Sequence, residues 1–145
     1  MRDKPMKQIL RKKSLKIAII LLVLYALLVV LFESSLGYFQ PESASTLQIA
    51  TINADGTVNQ RILARIDSAG QLYVAANHWP RAWYREALAN PSVEVNLESG
   101  QGSYIAVPVE GAEHDSVNAD NSLGLMFRIL TGFPPRYFLR LDPAG

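Results

Sequence analysis

The chain has no cysteine. Disulfides, thiolate nucleophiles and cysteine-based metal sites are therefore excluded, and the redox compartment is left open. Its two histidines, His78 and His114, are far apart and no carboxylate pattern joins them, so no metal spacing exists and no metal is expected. No serine sits in a nucleophile-elbow sequence, and no glycine run resembles a phosphate loop or a dinucleotide fingerprint. Acyl transfer by a serine triad and nucleotide hydrolysis are unsupported. Lysine is absent after Lys16: from Glu33 onward the basic residues are seven arginines against twelve acids, a net charge of −5. A nucleic-acid binder would be basic here, so nucleic acid is discarded as a partner.

What the body lacks, the head holds. Residues 1–16 carry Arg2, Lys4, Lys7, Arg11, Lys12, Lys13 and Lys16 against one acid, Asp3. Ile17 to Phe32 follow, an apolar run in which only Tyr25 has a polar atom. A bilayer span takes roughly 20 residues; Leu15 and a snorkelling Lys16 extend the run on one side, and Leu36, Tyr38 and Phe39 on the other. The run is long for a signal peptide, and Glu33-Ser34-Ser35-Leu36-Gly37 is a poor cleavage site. An uncleaved anchor is the reading adopted over a cleaved signal or a buried helix. The charge bias then leaves the N-terminus in the cytoplasm and the soluble domain extracytoplasmic, periplasmic in a bacterium. The expected organisation is a basic head over 1–16, an inner-membrane anchor over 17–37, a linker over 38–46 and one domain over 47–145.

From Leu47 the pattern is β. Leu47 to Ile52 alternates, Asn53-Ala54-Asp55-Gly56 is a turn, and Val58 to Ile66 reads as a second strand. Asp67 to Gly70 turns the chain into a third strand over Leu72–Ala76, with a fourth over Val93–Leu97 and a fifth over Tyr104–Val109. Asn118 to Leu130 has helical spacing, and Tyr137 to Leu141 is a last strand. Short β elements with helical plugs predict a small antiparallel barrel, mainly β in an α+β arrangement.

Between the third and fourth strands lies His78-Trp79-Pro80-Arg81-Ala82-Trp83-Tyr84-Arg85-Glu86-Ala87-Leu88-Ala89-Asn90-Pro91. Pro80 suits a first helical turn and Pro91 stops the helix. Trp79, Trp83, Tyr84, Ala87 and Leu88 form its apolar face, and Trp83 reads as core. Arg81 and Arg85 are four apart, a like-charge pair that is either solvated or holds an anion. Arg61 and Arg65 on the preceding strand could converge on the same mouth, where a helix N-terminus favours phosphate or carboxylate. Asn77 and His78 close the third strand there; His78 reads as a cap or as a proton donor. Trp79 or Tyr84 could stack on a flat ring.

The segment PRAWYREALANPSVEV (residues 80–95) resembles PAWYHNLRANPEVEV of the deazaflavin-dependent nitroreductase family, small proteins with the split β-barrel of pyridoxamine-phosphate-oxidase-like flavoproteins. The resemblance covers about Leu47 to Leu141. In that family a TGRKSGRxR turn before the second strand supplies basic and backbone groups to the cofactor's phosphate; here Gly56 and Arg61 match, while Asn53 and Ala54 stand in place of Arg-Lys. A family Ser-Asn pair is matched by Ala76-Asn77. The resemblance implies a deazaflavin or FMN cofactor held by Arg61, Asn77, His78, Trp79, Arg81 and Tyr84, a quinone-like or other planar acceptor, and a homodimer. The function expected is a membrane-anchored oxidoreductase that passes hydride to a planar acceptor. The alternative is a membrane-tethered binding or assembly module of the same fold, without cofactor.

Overall fold

The computed structural model describes residues 3–38, 45–77 and 81–145. A helix, α1 (Asp3–Tyr38), precedes seven strands: β1 (Thr46–Ile52), β2 (Val58–Ala64), β3 (Ile66–Ser68), β4 (Gln71–Ala76), β5 (Ser92–Leu97), β6 (Gly100–Val109) and β7 (Tyr137–Pro143). Helix α2 (Ala82–Ala89) follows β4, and α3 (Gly111–Asp120) and α4 (Leu125–Leu130) lie between β6 and β7.

The strands form one antiparallel sheet in the order β2-β1-β5-β6-β7-β4-β3. Its two edge strands, β2 and β3, are consecutive in the chain and separated by Arg65 alone. Laid flat, seven strands at ~4.8 Å spacing would put those edges almost 30 Å apart, far beyond what one residue can span. The sheet must curl until its edges meet. This is the expected split barrel, and it explains why the single strand read over 58–66 is two: the chain changes edge at Arg65.

Alternation fills the interior. Leu47, Ile49 and Thr51 of β1 and Val93 and Val95 of β5 all point inward and are buried. In β4 and β7 successive residues are buried on both faces. Val74, Leu139 and Leu141 join Trp83 and Ala87 of α2 in the barrel core, while Tyr73 and Phe138 face outward against Val117 of α3. Trp83 is thus core, with α2 plugging the barrel.

Two helical readings are corrected. The helix expected over 118–130 is α3 and α4, interrupted at 121–124, where Gly124 is extended (φ −58, ψ 145) and the Asn121 side chain bonds back to the Val117 carbonyl at 3.1 Å. Helix α2 starts at Ala82, with Arg81 non-helical at its boundary (φ −110, ψ 44). Its C-terminus is as expected: the Asn90 N–H donates to Glu86 O and Pro91 ends the run.

Residues Arg11–Leu36 of α1 are long and apolar enough, by length and composition, to cross a membrane. The helix docks on α4. The Tyr25 hydroxyl donates to Ile129 O at 2.8 Å, Phe32 meets Phe127 edge-on, and Val29 occupies the space where a Cβ on Gly132 would lie.

Candidate functional site

The resemblance is sharpest at α2 and partial in the β1–β2 turn, and the fold brings the two together. Asn53, Ala54 and Asp55 of the turn, Ala82, Arg85 and Glu86 of the helix and Asn90 at its C-cap line one open groove of about 620 Å³. Ile52 and Ala89 give it an apolar wall. A smaller cavity of about 240 Å³ adjoins it, lined by Asn59, Gln60, Arg61, Ala82, Trp83 and Glu86. Glu86 separates the two. Its carboxylate accepts from the buried Thr51 hydroxyl at 2.6 Å and the Asn59 amide at 2.9 Å.

The sequence-derived site residues divide into separate groups. Arg61 lines the smaller cavity beside the first turn of α2. Arg81 does not join it: it is buried, its Nη2 donates to Pro135 O at 2.6 Å, and its guanidinium lies 4.7 Å from the Tyr137 ring centroid. Burial pushes Arg81 down from its ordinary value, opposed by Tyr137 and by Glu33 at the end of α1. Because Arg81 precedes the helix, its four-residue spacing to Arg85 does not put the two on one face; Arg85 is exposed in the groove. Tyr84 belongs with Arg81: it packs at 5.5 Å from Tyr137 and 5.9 Å from Trp83, and burial raises its phenol. Asn77 accepts from Arg136 Nε at 2.9 Å. Arg65 pairs with Asp67 at 2.7 Å, away from the groove lining. His78 and Trp79 lie outside the described residues.

Arg136 is the residue sequence reasoning passed over. It follows Pro134-Pro135, and in sequence nothing separates it from the other arginines. In the fold it sits over Phe138 and donates through Nη1 to Asn118 Oδ1 and Asn121 O at 2.9 and 2.7 Å. With His114, Asn118, Ser122 and Arg128 it lines a third cavity of about 330 Å³.

The groove suits a planar ligand in volume, since small-molecule sites run roughly 300–1,000 Å³. Its turn is less suited to phosphate. The Asn53 and Gly56 N–H groups bond within the turn to Thr57 O and Asn53 O. Those of Asp55 and Thr57 bond to the Asn53 and Asp55 side chains. The Thr57 N–H lowers the Asp55 carboxyl below its ordinary value, keeping it anionic at the groove edge. An anionic tail would therefore rely on Arg85 and Arg61 rather than on the turn. Among the described residues, no group of three His, Cys, Asp or Glu is placed to hold a metal.

No family model and no curated protein match the sequence. Solved structures do. The heme storage protein HutZ from Vibrio cholerae is 20% identical over 71% of this chain and 84% of its own (TM-score 0.50). An F420-H2 dependent reductase, FDR-A, is 17% identical over 68% and 94% (TM-score 0.52). A domain-swapped dimer is 16% identical over 68% and 80% (TM-score 0.54). The chain has the split β-barrel fold that its sequence resemblance implied, one shared by a reductase and a heme storage protein alike.

Proposed function

We propose that the chain is a membrane-anchored oxidoreductase that binds a deazaflavin or FMN in the groove between the β1–β2 turn and α2. The observation that supports this reading is that the segment carrying the resemblance, Ala82–Asn90, lines one groove of about 620 Å³ together with Asn53–Asp55 of the β1–β2 turn. Arg85 and Arg61 would hold the cofactor's anionic tail from either side of Glu86, and Ile52, Ala82 and Ala89 would lie against its ring. Such a cofactor supplies hydride chemistry; the protein supplies orientation and electrostatics. Glu86, held by Thr51 and Asn59, fixes the groove wall. Arg81 and Tyr84 stand behind that wall and keep α2 against β7. A quinone-like acceptor fits a domain tethered at a lipid surface. The basic head favours the N-terminus in the cytoplasm and the barrel outside, and a homodimer is in keeping with the fold's domain-swapped neighbour.

The internally bonded turn and Asp55 favour a second reading, a tethered binding module without cofactor. Titrating the full chain in nanodiscs with FMN and with a deazaflavin separates the two. Saturable quenching of tryptophan fluorescence, weakened roughly tenfold or more in Arg61→Ala or Arg85→Ala as for a lost charged hydrogen bond, supports the oxidoreductase. A folded protein that binds neither ligand supports the module.

A further inference from the structure

We propose that α4 and the turn after it lie in the lipid leaflet beside α1 and bind a phospholipid. Its acyl chains would lie on the apolar face and its phosphate in the cavity at Arg128 and Arg136. The proposal rests on the reading of α1 as a membrane anchor.

Depth carries the first part. Tyr25, Val29 and Phe32 of α1 touch α4 and its turn, and all three lie within the apolar run. If the hydrocarbon ended before Tyr25, only 11–24 of the candidate span would remain. At 1.5 Å per residue that is about 21 Å, short of the ~30 Å core, and it includes Arg11, Lys12, Lys13 and Lys16. A helix that spans from Lys16 toward Leu36 carries α4 into the bilayer with it.

The surface of α4 agrees. Leu125, Met126 and Phe133 are 66%, 68% and 50% exposed, on a helix and turn that pack against the apolar run of α1 through Phe127 and Gly132. Lipid also requires backbone groups to be satisfied internally. The last carbonyls of α4 meet that demand: Phe127 O accepts from the Thr131 N–H and hydroxyl, Arg128 O from the Phe133 N–H, and Ile129 O from the Gly132 N–H and Tyr25. The Gly132 and Phe133 bonds form a Schellman cap, with Gly132 in the left-handed region it requires (φ +71). Tyr25, the one polar side chain of the run, completes it.

The cavity supplies the headgroup site. Arg128, Arg136 and His114 line it, and no carboxylate does. Arg136 is half-buried and its three hydrogen bonds go to the neutral acceptors Asn77, Asn118 and Asn121 O. Nη2 makes none among the described residues. Burial disfavours its charge, and a partly desolvated guanidinium without a carboxylate is stabilised by an incoming phosphate. In a body of net charge −5, this cationic lining is formed by α4 and the turn after it together with α3.

The cysteine-free chain allows a direct test. Single-cysteine variants Leu22→Cys, Met126→Cys and Ala54→Cys are spin-labelled in nanodiscs of phosphatidylcholine and phosphatidylglycerol, and collision rates with oxygen and a water-soluble nickel chelate are compared. Positions 22 and 126 should favour oxygen and position 54 the chelate. An aqueous label at 126 with a lipid-facing label at 22 overturns this proposal while leaving the anchor. An aqueous label at 22 removes the anchor itself. A label at 126 shielded from both reagents means protein, such as a second copy, covers α4, and overturns the proposal too. For the headgroup, spin-labelled phosphatidylglycerol should be held in preference to phosphatidylcholine, and Arg128→Gln should cut that preference roughly fivefold, the effect of one basic residue near an anionic surface. An unchanged preference, or full displacement by inorganic phosphate, contradicts a lipid site.

Discussion

Replacing Arg81 by alanine distinguishes a structural arginine from a ligand-binding one. Arg81 is 4% exposed, and its guanidinium donates to Pro135 O at 2.6 Å and lies 4.7 Å from the Tyr137 ring centroid. Loss of a charged hydrogen bond costs about 1.5–3 kcal/mol, and loss of a partly desolvated cation–π contact about 1. Glu33 at the end of α1, itself 8% exposed, would also lose a nearby positive charge. We expect a loss of about 3 kcal/mol, which for a barrel of this size lowers the midpoint by roughly 10–20 °C. Thermal unfolding in detergent, followed by near-ultraviolet circular dichroism, measures it. Adding Glu33→Gln should return part of the loss. A variant as stable as the parent but unable to bind cofactor would refute the assignment and make Arg81 a ligand contact.

Three further substitutions probe the barrel. Trp83→Ala should cost about 3–5 kcal/mol in chemical denaturation whatever ligand is present, as for other buried aromatics; parental stability would remove Trp83 from the core. Thr51→Val keeps the shape of a fully buried side chain but takes away the hydroxyl that donates to Glu86. It should cost about 1–3 kcal/mol and weaken any ligand of the adjoining groove, and an unaltered midpoint and affinity would show that Glu86 needs only Asn59. Arg140 donates to Glu113 and Asp142 and holds both carboxyls below their ordinary values. A depressed folded value contributes stability above the unfolded value, near 4, that is lost as pH falls through the folded one. The midpoint gap between parent and Arg140→Gln should therefore be widest above about pH 4 and close at lower pH; a gap independent of pH would contradict the pairing.

The strands were legible because a half-buried strand writes its alternation into the sequence, as Leu47, Ile49 and Thr51 do. The barrel closure was less so: Arg65 looks like a strand residue, and only pairing shows that β2 and β3 lie at opposite edges of the sheet. The helix over 118–130 misled because Leu123, Met126 and Phe127 keep helical spacing across the break at Gly124. At the site, residue type was readable and grouping was not. Arg81 and Arg85 share a helical spacing, yet the helix begins after Arg81, so one is buried and the other faces the groove. Arg136 had no local signature, since its significance comes from Asn77 after β4 and from Asn118 and Asn121 at the end of α3, brought to it from two other parts of the chain.

The central claim, that an anionic planar cofactor occupies the groove at α2, is tested most directly by restoring one basic group to the turn. Ala54 is exposed on the groove lining opposite α2, in a position where the resembled family has a basic residue. FMN and deazaflavin affinities are measured by fluorescence quenching for the full chain, Ala54→Lys and Arg85→Ala. The account predicts binding by the parent, roughly tenfold tighter in Ala54→Lys and roughly tenfold weaker in Arg85→Ala, the scale of one charged hydrogen bond. Equal affinity in all three, or none in any, would place the cofactor elsewhere or remove it from the protein.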